Sequence, residues 1–155
     1  ARLGRQRAMV VNVVVGEGGS GGALALSVGD RLLMMENAIF SVIGPEAAST
    51  ILYRDSTHAQ LLAGQLKLTA RDLFGLRLVD RVVAEQPAGH EAPDIMGKTL
   101  RQALAEELAA LEHVPIKTLL SRREGKFRHV HGLRGRLQLF MRSSAAARGE
   151  KAEHA

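Results

Sequence analysis

A chain of 155 residues and 16.7 kDa holds one domain or part of one, which excludes a multi-domain enzyme. Apolar residues make up 46%, but only Phe40, Tyr53, Phe74, Phe127 and Phe140 are aromatic, so the core is aliphatic and base-stacking or choline-cage functions are not expected. The absence of cysteine removes disulfides, zinc ribbons, iron–sulfur clusters and thiol nucleophiles, and the formal charge of +5 is concentrated beyond Pro115, in a run read as a solvated basic end.

Met9 to Val15 is a β-branched run broken only by Asn12, too short for a helix and suited to a buried parallel strand. It leads into a glycine loop, Gly16 to Gly22, whose residues permit unusual backbone angles and close approach of a ligand. A short helix from Ala23 to Val28 is stopped by Gly29, and Arg31 to Glu36 and Ile39 to Ile43 read as two further strands. Gly44-Pro45-Glu46 opens a helix to Tyr53, because proline fits the first helical position and Glu46 complements the dipole. Another helix is expected over Thr57 to Gln65, and Thr69-Ala70-Arg71-Asp72 is a capping box opening a short helix that Gly75 closes. Leu78 to Ala84 reads as a strand and Gln86 to Pro93 as a loop.

From Asp94, apolar residues at Met96, Leu100, Leu104, Leu108 and Leu111 recur at helical spacing until Pro115. A basic helix carrying Ile116, Leu119, Leu120 and Phe127 follows. The expected organisation is a core over 1–93, helices over 94–132 and a basic, disordered tail over 133–155. No internal repeat is visible at this level. A membrane-spanning segment is not expected, since no run reaches about 18 apolar residues. Arg2, Arg5 and Arg7 before Ala8 to Val15 imitate a signal peptide, yet Asn12 splits the run and Glu17 with the glycines separates it from Ala23-Leu24-Ala25.

The glycine loop fits several templates. Gly16-x-Gly18-x-x-Gly21 is a dinucleotide-type fingerprint, but about six residues of helix are too few for the usual crossover. Gly18-x-Ser20-x-Gly22 has the form of a nucleophile elbow, with one upstream strand where hydrolases have several. No Lys-Ser/Thr follows, so it is not a phosphate-binding loop. The loop can also serve as a plain tight turn, or can aim successive backbone N–H groups at an oxygen that becomes negative during reaction. His58, His90, His113, His129, His131 and His154 show no zinc spacing with carboxylates, so no metal is expected. Asp80 reads as a turn or helix-contact residue and Met34-Met35 as core.

Taken together, the stretches Val15 to Asp30, Phe40 to Glu46, Ser49 to Leu52, Leu68 to Leu73 and Leu78 to Val83, followed by Pro87 to His90, the long helix and Arg122-Arg123, resemble the alpha-type carboxyltransferase subunit of bacterial acetyl-CoA carboxylase. The resemblance covers about Met9 to Gly132. Ala47 stands where that family usually has Gly, and Gln86 intervenes where Pro usually follows Glu directly. The resemblance implies an α/β, crotonase-like (ClpP/crotonase) spiral of ββα units, here the C-terminal half, with a C-terminal helical extension and a first half expected upstream of Arg2.

It further implies carboxyl transfer from carboxybiotin on a carrier protein to acetyl-CoA, giving malonyl-CoA for fatty acid biosynthesis. In that scheme CO2 leaves carboxybiotin, the biotin nitrogen takes a proton from the acetyl group, and the enolate traps CO2. The backbone amides of Gly21, Gly22 and Ala23 would be the catalytic oxyanion hole, with Gly18, Gly19 and Ser20 shaping the substrate loop. The implied partners are a beta-type carboxyltransferase subunit or the upstream half, the biotin carboxyl carrier protein and biotin carboxylase, in a cytoplasmic oligomer without nucleic acid or membrane. Activity is expected only within that complex. The alternative reading is a truncated, non-catalytic crotonase-like subunit that binds or supports a partner.

Overall fold

A computed structural model describes residues 3–128 of the chain. The tail expected over 133–155, together with His129, His131, His154 and Phe140, lies outside the described residues. Ala1–Glu124 makes one compact unit, and Gly125–Ala155, described as far as Arg128, a second.

After a single 3-10 turn at Leu3–Arg5 the elements run β1 (Val11–Val14), β2 (Glu17–Gly19), α1 (Ser20–Leu26), β3 (Arg31–Met35), β4 (Ile39–Ser41), α2 (Pro45–Tyr53), α3 (Ala59–Leu66), α4 (Ala70–Gly75), β5 (Arg81–Val83), α5 (Pro93–Glu112) and α6 (Ile116–Arg128). Strands β1, β3 and β5 form one parallel sheet in that order, while β2 and β4 form a second, also parallel. Since β1 pairs with β3 and β2 with β4, the segment β1-β2-α1 is laid in parallel on the segment that begins β3-β4-α2. This is a stacked pair of ββα turns, the arrangement expected of the spiral.

The central strand shows why the sheet holds. Leu33 and Met34 are completely buried and Leu32 and Met35 nearly so, so β3 is covered on both faces, as a parallel strand requires. Phe40, Leu73, Val79 and Val83 close around it, and α5 packs on β1 and β5 with Met96 and Ala103 buried. The leucine stripe of α5 is graded: Leu111 is buried, Leu100 and Leu104 are half-buried, and Leu108 is exposed. The capping box forms as expected, with Asp72 N–H donating to Thr69 Oγ1 at 3.3 Å and the Thr69 hydroxyl returning a bond to the Asp72 carboxylate at 2.8 Å. Buried Ser49 ties α2 to α3 by donating to the Asp55 carbonyl (2.6 Å) and accepting from His58 N–H (3.2 Å).

Three expectations need correction. The glycine run is not one loop before a helix at Ala23: its first part is β2, paired with β4, and α1 already begins at Ser20. The last strand is shorter than Leu78 to Ala84, because the Leu78 and Val79 amides turn back onto the Leu73 carbonyl and only Arg81–Val83 reach the sheet.

An internal repeat is also present. Asp30-Arg31-Leu32-Leu33 and Asp80-Arg81-Val82-Val83 occupy equivalent places at the heads of β3 and β5. Each aspartate grips the preceding strand with two bonds. Asp30 N–H donates to Val10 O and its carboxylate accepts from Val10 N–H, both at 2.8 Å. Asp80 does the same to Leu32, at 2.8 and 2.7 Å. Each following arginine reaches the same place on α5: Arg31 Nε lies 3.0 Å from Glu107, and Arg81 lies 2.7 Å from Glu106 and 3.6 Å from Glu107.

Candidate active site

The sheet delivers the glycine segment from the C-terminal end of β1. Gly18 and Gly19 are strand residues of β2, opposite Phe40 and Ser41 of β4. The chain then bends sharply at Ser20, whose φ of 65° is left-handed and costs an L-residue roughly 1–2 kcal/mol. Among the described residues no glycine has a positive φ, so the strain at this turn falls on the serine rather than on a glycine. Gly21, Gly22 and Ala23 form the first turn of α1.

Two ordinary reasons for a glycine can be tested at each position. Gly18 has an internal one, because a Cβ there would sit 2.7 Å from a ring carbon of Phe40 and 3.2 Å from Val14. Gly19 and Gly21 do not: a Cβ would meet nothing within 4 Å, and at Gly22 only the Ser20 hydroxyl at 3.9 Å. Neither φ nor internal packing requires glycine at these three places. What the missing side chains do leave is open access to backbone amides from outside.

The amides themselves are distinguished by position. A helix offers no internal acceptor to the N–H groups of its first turn, which covers Gly21 and Gly22, whereas the ladder starts where the carbonyl of N-cap Gly19 accepts, at Ala23. Gly22 N–H has a long contact of 3.4 Å to Ser20 Oγ, weak enough to yield to a better acceptor. Gly19, Ser20, Gly21 and Gly22 are exposed and Gly18 and Ala23 half-buried. The six expected residues, contiguous in the chain, thus run from the end of β2 through the bend at Ser20 into the first turn of α1.

Ser20 has the backbone of a nucleophile elbow, a strained turn from strand to helix, but not its chemistry. Its recorded hydrogen bond is to its own loop, and none of the described histidines is bonded to it. The group of half-buried Tyr53 and His58 with exposed Asp55 and Thr57 is no relay either. The His58 ring stacks on Tyr53 with centroids 4.2 Å apart, and its Nδ1 faces both Thr57 Oγ1 (3.1 Å) and Asp55 Oδ1 (3.4 Å), so one nitrogen meets both partners. The Thr57 hydroxyl and amide, with a smaller contribution from His58, hold the Asp55 carboxyl below its usual range. This is a turn cap between α2 and α3.

A cleft of about 520 Å³ lined by Arg71, Phe74, Asp80, Arg81, Val82 and Glu107 opens by the head of β5, yet its arginines are ion-paired, Arg81 to Glu106 and Glu107 and Arg71 to Glu36 at 3.5 Å. Among the described residues no group of three His, Asp or Glu side chains could hold a metal, and no helix is long and apolar enough to cross a membrane.

Reading the basic run beyond Pro115 as a solvated end fails at Arg123. Its side chain is 1% exposed and forks onto Asp30, Nε to Oδ1 at 3.1 Å and Nη2 to Oδ2 at 2.6 Å. Net charge counts sign and not burial, so the composition gave no warning.

Comparison with known proteins supplies the relatives of this arrangement. A family model described as acetyl co-enzyme A carboxylase carboxyltransferase-like matches residues 2–131. The acetyl-coenzyme A carboxylase carboxyl transferase subunit alpha of Xanthomonas axonopodis pv. citri is 51% identical over 120 residues, covering 77% of this chain and 38% of the relative. The subunit of the same name from Alkaliphilus oremlandii is 40% identical over 129 residues, covering 83% and 41%. The chain thus spans about two fifths of the length of these curated relatives. Among solved structures, a chain of a Pseudomonas malonate decarboxylase hetero-tetramer in complex with coenzyme A superposes with a TM-score of 0.61 at 22% identity, covering 90% of this chain and 55% of that one. The same enzyme in complex with malonate gives 0.56. At that identity the likeness concerns the fold, which is mixed α/β and crotonase-like.

Proposed function

Because the chain belongs to the acetyl co-enzyme A carboxylase carboxyltransferase family, we propose that it supplies part of the carboxyltransferase site that makes malonyl-CoA from acetyl-CoA, for fatty acid biosynthesis. The observation that carries this reading is the turn Gly19 to Gly22. Its backbone N–H groups are accessible, and the glycines at 19, 21 and 22 are required neither by backbone angle nor by the chain's own packing.

Carboxybiotin, on a carrier protein, supplies the carboxyl group. The work left to this chain is electrostatic. Gly21 and Gly22 N–H, with Ala23 as the weaker third donor, hold an oxygen that gains negative charge as the carboxyl group moves, on the biotin side of the reaction. Fixed donors at that point need no reorganisation during the reaction, and each contributes about 3 kcal/mol of barrier lowering. Gly18, Gly19 and Ser20 set the shape of the substrate loop: Gly18 by its tight fit under Phe40, Ser20 by its left-handed backbone. No side-chain acid or base is required of this chain in that scheme. The proposed setting is a cytoplasmic complex with a beta-type carboxyltransferase subunit, biotin carboxyl carrier protein and biotin carboxylase.

The test is Gly22→Val in the complex with carboxylase subunits. A Cβ here meets only the Ser20 hydroxyl, at 3.9 Å, so a branched side chain should be accommodated by the chain while it blocks the amide surface. Assembly should persist while carboxyl transfer falls by about a hundredfold or more. Turnover within about threefold of wild type would remove the oxyanion assignment, given the size of effect expected for one lost donor. Ser20→Ala should cost far less; a collapse there, with the loop intact, would favour the nucleophile reading.

A further inference from the structure

Arg123 and Asp30 are 2% and 7% exposed, and the proposed chemistry uses neither. Besides its two bonds to Asp30, Arg123 donates to the carbonyls of Gln6 (3.1 Å) and Ala8 (2.9 Å), with Gly4 O at 3.5 Å. Asp30 in turn holds both the N–H and the carbonyl of Val10. One guanidinium therefore gathers the chain leading into β1 and ties it, through one carboxylate, to the head of β3. A buried pair of this kind is weak evidence for stability, since apolar residues of like volume often do as well; what it does fix is geometry.

The geometry fixed here is a register. Val10 is the residue before β1, and the ladder to β3 begins at Val11 opposite Arg31. β1 rises from this point to the glycine turn, and α1 returns from that turn to Asp30. The Asp30–Arg123 pair thus closes the base of the unit whose tip is the turn. The backbones are pressed together there as closely as glycine allows, because a Cβ on Gly29 would lie 2.4 Å from Asn12 Nδ2 and 2.9 Å from Val10 O. A slip of β1 by one residue moves its far end by about 3.3 Å, and a misplacement of about 1 Å can cost a hundredfold in rate.

We infer that Arg123 and Asp30 are positioning residues: by setting the register of β1 on β3, they place the amides of Gly21 and Gly22. The inference rests on the proposed role of that turn, and its structural half can be measured without it.

The experiment uses Asp30→Asn and Arg123→Lys, with Leu62→Ala in α3 as a control that creates a cavity away from the unit, in the carboxylase complex. Hydrogen exchange resolved to single amides should accelerate at Val10, Asn12 and Val14, whose N–H groups face β3, by about tenfold or more in both pair variants while α3 keeps its protection, and Leu62→Ala should show the reverse. In turnover, kcat should fall by about a hundredfold with KM within about twofold, and lysine should not rescue, because a point charge cannot replace the guanidinium fork.

Unchanged exchange at Val10, Asn12 and Val14 in Asp30→Asn, or an equal acceleration there in Leu62→Ala, overturns the inference. If wild-type complex shows no carboxyl transfer, the proposed function fails while the exchange result still decides the register. Should neither variant fold, the wild type decides: the Val10, Asp30 and Asn12 amides, which all face the β1–β3 seam, must open with one common free energy, and free exchange at Val10 beside a protected Asn12 overturns the clamp.

Discussion

The heads of β3 and β5 carry the same local device in opposite surroundings. Asp30 and Asp80 each take hold of one residue of the preceding strand by an amide and a carboxylate, and each is followed by an arginine that reaches α5. Asp30, however, is buried under a guanidinium, and the residue before it is a glycine with no room for a side chain; Asp80 is exposed and preceded by buried Val79. The motif alone therefore does not determine what the motif is worth. Its surroundings convert one copy into a rigid node and leave the other a strand cap.

The sharpest way to break this comparison is to make the same change twice. Asp30→Ala removes the carboxylate from the buried Arg123 charge and should cost about 3–5 kcal/mol, which lowers the melting temperature by roughly 6–20 degrees in a domain of this size. Asp80→Ala removes a bond at an exposed carboxylate and should cost about 1 kcal/mol. Urea unfolding of both variants measures the difference; equal losses would mean that the two heads are alike after all.

A second pair sharpens it at intermediate size. Gly29→Ala drives a methyl group against Asn12 and the Val10 carbonyl, an overpacking cost of about 1–3 kcal/mol, with β1 and not β5 losing exchange protection. The matching test at the tip of the same unit is Gly21→Ala, where nothing lies within 4 Å. It should leave the melt within about 0.5 kcal/mol, or raise it through better helix propensity. The base of the unit is thereby distinguished from the tip by stability.

How much of this could be read from sequence follows the same division. Strand β1, the glycine run and the helix opening at Pro45 were legible, because β-branched runs, glycine clusters and an N1 proline carry their conformations locally. The six residues of the candidate site were legible too, as a contiguous run. The start of α1 at Ser20 was not, since Ser-Gly-Gly is a poor helix by propensity and is held by the pairing of β2 with β4 across 22 residues. The Asp-Arg-apolar-apolar repeat was visible in principle but is only four residues long, and its meaning depends on where the parallel strands fall. Arg123 was counted with a basic tail, because nothing in a sequence tells a solvated arginine from one 93 positions away from its carboxylate.

The smallest expected effect concerns what the two heads share, their arginines on α5. Arg81 donates to Glu106, and this bond, aided by one from Gln102 at 3.0 Å, holds the Glu106 carboxyl below its ordinary 4.5; the same contact raises Arg81. A carboxyl depressed in the folded state leaves the unfolded chain binding more protons, so its contribution is present above pH 4.5 and is lost as pH falls through the lower folded value. The Glu106 side chain is exposed, so salt screens the pair and the effect is small. Glu106→Gln should consequently be slightly less stable than wild type at pH 7, and the gap should close on acidification below 4.5 and also in high salt. Arg31 keeps its own bond to Glu107 in that variant, so the head of β3 should hold its exchange protection while that of β5 loosens. Parallel loss at both strands would show that α5 clasps the two heads as one body, and that the burial of Asp30 does not make the first head independent of the second.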